Sequence, residues 1–263
     1  MQKYLLYSDT HLLPWQRYTM LNSIIDAKPH GVFLTGDVSH SGFSFLSDLE
    51  FFGKRLKCPL YFVEGNHDYW LSSFAKVRSK IEELTAKYSN LAWMPKAGVI
   101  PLNEEVAIIG ASGFYTAEYG NRDFIKLTFD WFMIKDLREL SSWEERYAKF
   151  RQLAIEDNAI IIKNLELALE QHNTVICLSH YPPWKEADRH SNLLSEKFWE
   201  PYNSNSFLGR DLERVMRDRK KKHLTVLAGH THSPLTLHIS RNIECRVSKA
   251  GYFGPVDSEI IYI

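Results

Sequence analysis

Five short apolar runs, each followed at once by aspartate, asparagine or histidine, constrain the fold of this chain most strongly. Apolar runs of this length are typical of strands that are buried on both faces. Ligands bind beyond the carboxyl ends of the strands in open α/β sheets, so we expect the five polar groups to meet at one place. The five groups are Asp9-Thr10-His11, Gly36-Asp37, Gly65-Asn66-His67-Asp68, Ser179-His180 and Gly229-His230-Thr231-His232.

The segments between the first three runs predict helices, because their apolar residues recur at helical spacing. We expect these helices at residues 14–27, 45–56 and 72–88. A β-α-β-α-β alternation predicts parallel strands with right-handed crossovers. Strand-like runs then follow at residues 91–94, 98–102 and 106–109, with a hairpin turn at 103–105, which indicates a second sheet packed on the first.

The second half of the chain alternates irregular and regular segments. A helix is predicted at residues 143–172, a shorter one at 209–219, and closing strands at 235–239, 243–247 and 259–263. Residues 181–207 form a second irregular stretch. Because no internal repeat or low-complexity linker interrupts the sequence, we predict a single domain over residues 1–263, with a cap- or rim-like elaboration at about 111–158.

Composition narrows the class of protein. Lys plus Arg and Asp plus Glu both number 32, so no global charge draws the chain to nucleic acid or an acidic membrane. Its three cysteines lack C-x-x-C spacing, which argues against a disulfide framework and a zinc knuckle. The first strand begins too close to Met1 for a signal peptide, and no apolar run approaches the ~20 residues that span a bilayer. We therefore expect a cytoplasmic protein that binds no membrane.

Taken together and in this order, the five motifs resemble those of the calcineurin-like metallophosphoesterase family, from Asp9 to His232. The resemblance implies an α/β fold, a four-layer α/β/β/α sandwich of two mixed sheets with the metal site at the carboxyl ends of the strands. It also implies a phosphoric ester hydrolase, which acts on a phosphomonoester or phosphodiester of a small molecule.

The resemblance further implies two metal ions that share Asp37. The first ion would bind Asp9, His11, Asp37 and His232, and the second Asp37, Asn66, His180 and His230. Imidazole with carboxylate suits manganese, iron or zinc better than magnesium or calcium, so we expect manganese, iron or both, with zinc as an alternative. A hydroxide that bridges the two ions would be the nucleophile.

His67 has a separate role in the resemblance, as the general acid that protonates the leaving group. Its orientation requires a neighbouring partner. In protein Ser/Thr phosphatases this partner is an aspartate three residues after the bridging aspartate, where this chain has His40. Asp68 is the alternative partner. Tyr69-Trp70 replace the arginine region of those phosphatases, which disfavours a protein phosphatase.

Two other functions compete with a small-molecule phosphoesterase. A nuclease of the same family would need several Lys/Arg contacts to phosphates, and the sequence has no long basic stripe. A non-catalytic, protein-binding scaffold tends to lose ligands, whereas this chain keeps all eight ligand positions across seven residues. The candidate substrate contacts are Asn66, Tyr115, Arg122 and Arg189, of which the last three lie in irregular stretches that could overhang the metals.

Overall fold

Two β-sheets form the centre of the protein in this computed structural model, which describes residues 1–118, 128–187, 202–250 and 256–263. The strands within these ranges are β1 (Lys3–Tyr7), β2 (Gly31–Thr35), β3 (Leu60–Val63), β4 (Leu91–Trp93), β5 (Ile100–Pro101), β6 (Val106–Gly110), β7 (Thr174–Leu178), β8 (His223–Ala228), β9 (Leu235–Ser240), β10 (Ile243–Val247) and β11 (Glu259–Tyr262).

Both sheets are mixed. The first has the order β11-β1-β2-β3-β4, with β1 to β4 parallel and β11 antiparallel to β1. The second has the order β5-β6-β7-β8-β10-β9, with parallel strands from β6 to β10 and an antiparallel strand at each edge. The predicted hairpin at 103–105 joins β5 to β6, where Ile100 pairs with Ile108. The prediction of a second sheet is therefore confirmed.

The helices surround these sheets, and several of them begin after good capping residues. Ser41 and Ser142 each make a capping box, and the side chain of Ser73 accepts a hydrogen bond from Lys76 N. Because these serines fix the starts, the second helix begins three residues before the predicted position and the third begins two residues after it. The helices are α1 (Gln16–Ala27), α2 (Gly42–Arg55), α3 (Phe74–Lys87), α4 (Met94–Ala97), α5 (Asp130–Met133), α6 (Lys135–Arg138), α7 (Trp143–Gln171) and α8 (Ser206–Met216).

Among the described residues, three apolar clusters separate the layers. One lies between the sheets and contains Phe33 of the first and Ile176 of the second. Another packs the outer face of the first sheet against α1, α2 and α3, and the last packs the outer face of the second sheet against α7 and α8. The layers therefore run helix, sheet, sheet, helix, which confirms the predicted α/β/β/α sandwich.

The region from 111 to 158 is partly core. Phe114, Tyr115 and Trp131 are fully buried, and they pack with Phe150 near the start of α7. Packing thus accounts for these three aromatic residues. Within the described ranges, no helix is both long and apolar enough to cross a membrane.

Candidate metal centre

The loops after β1, β2, β3, β7 and β8 meet at one edge of the two sheets, as the sequence predicted. Asp9 N donates to Gly36 O at 3.0 Å, which joins the first two loops. Gly229 N donates to His180 O at 2.9 Å, which joins the last two. His230 N donates to Asp9 Oδ1 at 2.9 Å, so a loop of the second sheet is fastened to a loop of the first.

Backbone strain is concentrated at this edge. Non-glycine residues with positive φ are uncommon, and such strain clusters at functional sites. Eight non-glycine residues in the described chain have positive φ, and five of them are predicted ligands. These five are Asp9 (φ 47°), His11 (φ 40°), Asp37 (φ 49°), His230 (φ 68°) and His232 (φ 55°).

Two motif glycines leave room for the carboxylates. A Cβ atom on Gly65 would overlap the side chain of Asp37, and one on Gly229 would overlap Ser8 and Asp9. The backbone therefore approaches each carboxylate more closely than any side chain would permit.

The first group of candidate ligands contains Asp9, His11 and His232, whose donor atoms all lie within 4.8 Å of one another. His232 Nε2 lies 3.3 Å from Asp9 Oδ1 and 3.3 Å from His11 Nε2. Asp9 and His11 are buried.

The second group contains Asp37, His180 and His230, with the same maximum separation of 4.8 Å. His180 Nε2 lies 3.2 Å from His230 Nδ1 and 3.2 Å from Asn66 Oδ1. Its other ring nitrogen lies 2.8 Å from Thr35 O, which holds the ring in place. Asn66 thus lies beside this group, and its role as a ligand stays a prediction.

Asp37 belongs to the second group and also reaches the first. Its Oδ2 is 3.8 Å from His11 Nε2 in the first group, and its Oδ1 is 3.6 Å from His180 Nε2 in the second. Asp37 Oδ1 also accepts a hydrogen bond from His67 N at 2.9 Å.

Burial and neighbouring charges shift the pKa values of these groups. Burial raises the pKa of Asp37 well above its usual range, and the nearby carboxylates of Asp9 and Asp68 add to the effect. Burial also raises the pKa of Asp9, but the charge and hydrogen bond of His232 outweigh it, so the pKa falls below its usual range. Burial lowers the pKa of His11 to about 3 and lowers that of His180. Neutral imidazoles next to carboxylates are the protonation state that a metal ion requires.

The donor set fits metal ions. Imidazole nitrogens face each other at 3.2–3.3 Å in both groups, and a bound cation would satisfy the lone pairs of both rings at once. Nitrogen together with carboxylate oxygen suits transition metals or zinc.

His67 lies beside the two groups. Its Nε2 is 3.8 Å from Asp37 Oδ2, and its ring meets that of His11 edge-on at 4.6 Å. Burial and the charges of His11 and other imidazoles hold the pKa of His67 well below its usual value. His40, the residue in place of the phosphatase aspartate, stacks against His11 at 5.3 Å, and donor atoms of His11, His40 and His67 all lie within 4.8 Å of one another.

Asp68 is buried behind the loops. Its Oδ1 accepts a hydrogen bond from Ser39 N at 3.2 Å, and its Oδ2 accepts one from Gly65 N at 3.0 Å. Burial raises the pKa of Asp68 to about 8. This placement gives Asp68 a part in ordering the loops after β2 and β3, and its pairing with His67 stays a prediction.

Sequence reasoning missed Asp130, a buried carboxylate at the start of α5. Its Oδ1 accepts hydrogen bonds from Asn66 Nδ2 at 2.9 Å and from Trp70 Nε1 at 2.7 Å. The Trp70 ring in turn stacks on the His67 ring, with centroids 3.6 Å apart. Asp130 belongs to no motif, so only the fold could have revealed it.

A second, largely buried polar cluster, which we call the arginine network, was also missed. It comprises Arg78, Glu64, Asp157, Tyr69 and Trp93. Arg78 Nε lies 3.8 Å from Glu64 Oε1, and Arg78 Nη2 lies 3.9 Å from Asp157 Oδ1. Tyr69 and Trp93 donate hydrogen bonds to Glu64. Glu64 directly precedes the Gly65-Asn66-His67-Asp68 motif, and a charged residue at the end of an apolar run was the one available signal.

The structure describes only some of the candidate substrate contacts. Tyr115 does not overhang the metals from a surface loop: its ring is fully buried and stacks on Phe150 at 4.5 Å. The expectation of an overhanging residue is wrong there, because the aromatic core recruits the ring. Arg122 and Arg189 lie outside the described residues.

Comparisons with known proteins identify the family and the fold. The profile of a family described as calcineurin-like phosphoesterase matches residues 3–234. No curated protein matches the chain. Among solved structures, a dimetal phosphatase from Danio rerio is 12% identical, with a TM-score of 0.57 over 94% of this chain and 87% of that one. The protein TT1561 of Thermus thermophilus is 12% identical, with a TM-score of 0.52 over 94% and 89%. At these identities, the two structures support the fold alone.

Proposed function

Because the chain belongs to the calcineurin-like phosphoesterase family and is a phosphoric ester hydrolase, we propose that it hydrolyses a phosphoester of a small molecule at this edge. The family uses two divalent metal ions and acts on small phosphoester substrates. For this chain we propose manganese, iron or both, with Asp9, His11, Asp37 and His232 at one ion and Asp37, Asn66, His180 and His230 at the other.

One observation carries the proposal: two groups of donor atoms, each within 4.8 Å, lie next to each other, and Asp37 of the second group also reaches the first. The carboxylate presents one oxygen to each group, at 3.8 Å from His11 Nε2 and 3.6 Å from His180 Nε2. This arrangement supports Asp37 as the shared ligand. When bound, a pair of metal ions supplies Lewis acidity and an activated water for attack on phosphorus.

The role proposed for His67 is to protonate the leaving oxygen. Its Nε2 lies at the same carboxylate as the candidate ligands, 3.8 Å from Asp37 Oδ2. Its pKa is held low by burial and by neighbouring imidazoles. A phosphoester brings negative oxygens, and an opposite charge raises the pKa of an imidazole. His67 would therefore take up its proton with the substrate and release it to the leaving group.

The balance of charge supports a small molecule over a nucleic acid. Lys plus Arg equals Asp plus Glu at 32 each, and binding to a phosphate backbone depends on many basic contacts. Monoester and diester substrates both remain within the proposal.

A substrate panel tests this function. Protein purified without chelator would first be analysed for metal content, and we expect two transition-metal ions per chain. Phosphomonoesters, bis-phosphodiesters, cyclic nucleotides and single-stranded DNA would then be assayed with manganese. Turnover of one small-molecule class above the DNA supports the proposal. Metal content consistently below one ion per chain, or hydrolysis of DNA alone, contradicts it.

A further inference from the structure

Asp130 connects two functional side chains that come from a different part of the chain. It is only 3% exposed and begins α5 (Asp130–Met133), more than sixty residues after the Gly65-Asn66-His67-Asp68 motif. One oxygen, Oδ1, accepts from both Asn66 Nδ2 and Trp70 Nε1. Its other oxygen lies 3.4 Å from Thr128 Oγ1.

The first contact decides which end of the Asn66 amide faces the candidate metal centre. An ionised carboxylate accepts hydrogen bonds but cannot donate one, so it selects the NH₂ group of the amide. The carbonyl oxygen then points to the opposite side, where Asn66 Oδ1 lies 3.2 Å from His180 Nε2. A rotated amide would present NH₂ there, and NH₂ cannot ligate a cation.

The second contact reaches His67 through an aromatic ring. The indole N–H bond at 2.7 Å fixes the Trp70 ring, which lies nearly parallel to the His67 imidazole with 24° between the planes. A centroid distance of 3.6 Å leaves no space for the imidazole to rotate toward Trp70. The position of His67 therefore depends on where Trp70 is held.

We propose that Asp130 is a positioning residue that orients the Asn66 amide toward the second ion and, through Trp70, holds His67 at the leaving-group position. The inference rests on the proposed function for the meaning of these two orientations. It assigns a role at the candidate site to a residue outside every sequence motif, so the start of α5 becomes part of that site.

Nuclear magnetic resonance of the metal-free protein tests whether Asp130 holds His67 in place, without any assay of activity. A ring stacked on an indole face shows an upfield shift of its carbon-bound protons. His67→Asn would assign the resonance among the 11 histidines, and Trp70→Ala would give its position without the stack. We expect Asp130→Leu to move the His67 resonance most of the way to the Trp70→Ala value. Asp130→Asn should leave it in place, because an amide oxygen can accept both hydrogen bonds while its NH₂ donates to Thr128.

Metal titration tests whether Asp130 orients the Asn66 amide. Loss of a residue that orients a ligand typically costs ~10–100-fold in metal affinity. We expect Asp130→Leu to weaken binding of the second ion by that factor and to leave binding of the first unchanged, and Asp130→Asn to keep the wild-type affinity for both. Asp136→Leu is the matched control, since Asp136 in α6 also accepts a hydrogen bond, from Phe74 N at 2.9 Å, but does so at the start of α3. It should change neither the resonance nor the metal affinity.

An Asp130→Leu protein with an unchanged His67 resonance and wild-type affinity for both ions would overturn the inference. If that variant does not fold, Trp70→Phe decides, because it keeps an aromatic ring but removes the N–H that Asp130 holds. Because a phenyl ring shifts the resonance differently from an indole, the measurement in Trp70→Phe is the nuclear Overhauser contact between the rings of residues 67 and 70. Loss of that contact supports the inference, and a contact of wild-type strength overturns it. Should the wild-type protein hydrolyse no phosphoester, the proposed function would fail, while the resonance and the titration would still judge the role of Asp130.

Discussion

The candidate metal centre and the arginine network are two largely buried polar clusters next to the end of β3, and the charges of their carboxylates are balanced by different groups. Glu64 belongs to the network and Asn66 to the metal centre, so the two clusters are separated by only Gly65 along the chain. In the network, Glu64 faces the guanidinium of Arg78 and accepts hydrogen bonds from Tyr69 and Trp93. The protein itself supplies the cation.

In the metal centre, the ion-pair partners of Asp37 within the described chain are imidazoles, those of His11, His67 and His180. Burial lowers the pKa values of all three rings, so they carry little positive charge. A buried carboxylate without a compensating charge is costly. In the arginine network, a side chain of the protein supplies the positive charge. In the candidate metal centre, the side chains have the composition of a site that binds added cations.

Asp37→Asn is expected to have the largest effect, because it weakens the binding of both ions and removes the carboxylate that they share. Activity should fall by about 10³-fold or more, since each ion stabilises the transition state by several kcal/mol. Elemental analysis and phosphoesterase assays would compare it with Asp9→Asn, which should keep the second ion. An Asp37→Asn protein that retains metal and activity while Asp9→Asn does not would refute the shared-ligand assignment.

His67→Asn should affect catalysis but not metal content. General acid catalysis is typically worth ~10²–10⁴-fold, and an alkyl phosphate needs it because an alkoxide is a poor leaving group. A nitrophenolate leaves unaided, so activity on nitrophenyl esters should fall much less. Rates on both ester types, with metal analysis alongside, separate the possibilities. Equal losses on both would place His67 at the phosphoryl oxygens instead, and a loss of metal would make it a ligand.

Arg78→Met should lower the stability of the fold and leave the metal centre filled. The Arg78 side chain is 27% exposed, so its removal should cost less than the ~3–5 kcal/mol of a fully buried ion pair, but it leaves the buried carboxylates of Glu64 and Asp157 without their cation. Chemical denaturation would measure the free energy of unfolding, with Lys80→Met on the exposed face of α3 as the control. If Arg78→Met emptied the metal centre but kept its stability, the distinction between the two clusters would collapse.

Asp157→Asn should change how stability depends on pH. Burial raises the pKa of Asp157 to about 7, above the value of about 4 in an unfolded chain. A carboxyl group with a raised pKa stabilises the fold at low pH, and this contribution is lost as the pH rises from about 4 to 7. The free energy of unfolding of the wild type relative to Asp157→Asn should therefore fall over that window, by at most ~4 kcal/mol. Denaturation of both proteins at several pH values between 5 and 8 would show it, and a constant difference would contradict the raised pKa.

The sequence predicted the parts of this protein that depend on local pattern. Strand ends such as Val32 to Asp37 combine an apolar run with a motif, and both the strand and its polar terminus are where they were expected. Asp130 and the arginine network could not be predicted in this way. Their members are separated by tens of residues, and it is the packing of α3, α5 and α7 on the sheets that brings them together. Tyr115 shows the same limit, since an aromatic residue in an irregular stretch can equally line a site or fill a core.

The helix α7 makes the end of the region from 111 to 158 rigid. Its 29 residues contain neither glycine nor proline, so it is an unbroken rod about 44 Å long. Phe150 and Leu153 anchor its first half in the apolar cluster of the first sheet, and Ile161 and Leu165 anchor its second half in that of the second. A force applied to the α7 end of this region would be transmitted as a tilt of the whole rod, and both cores would resist it. Because α7 is packed in two apolar clusters, its N-terminal half cannot rotate as a rigid body without disturbing both of them.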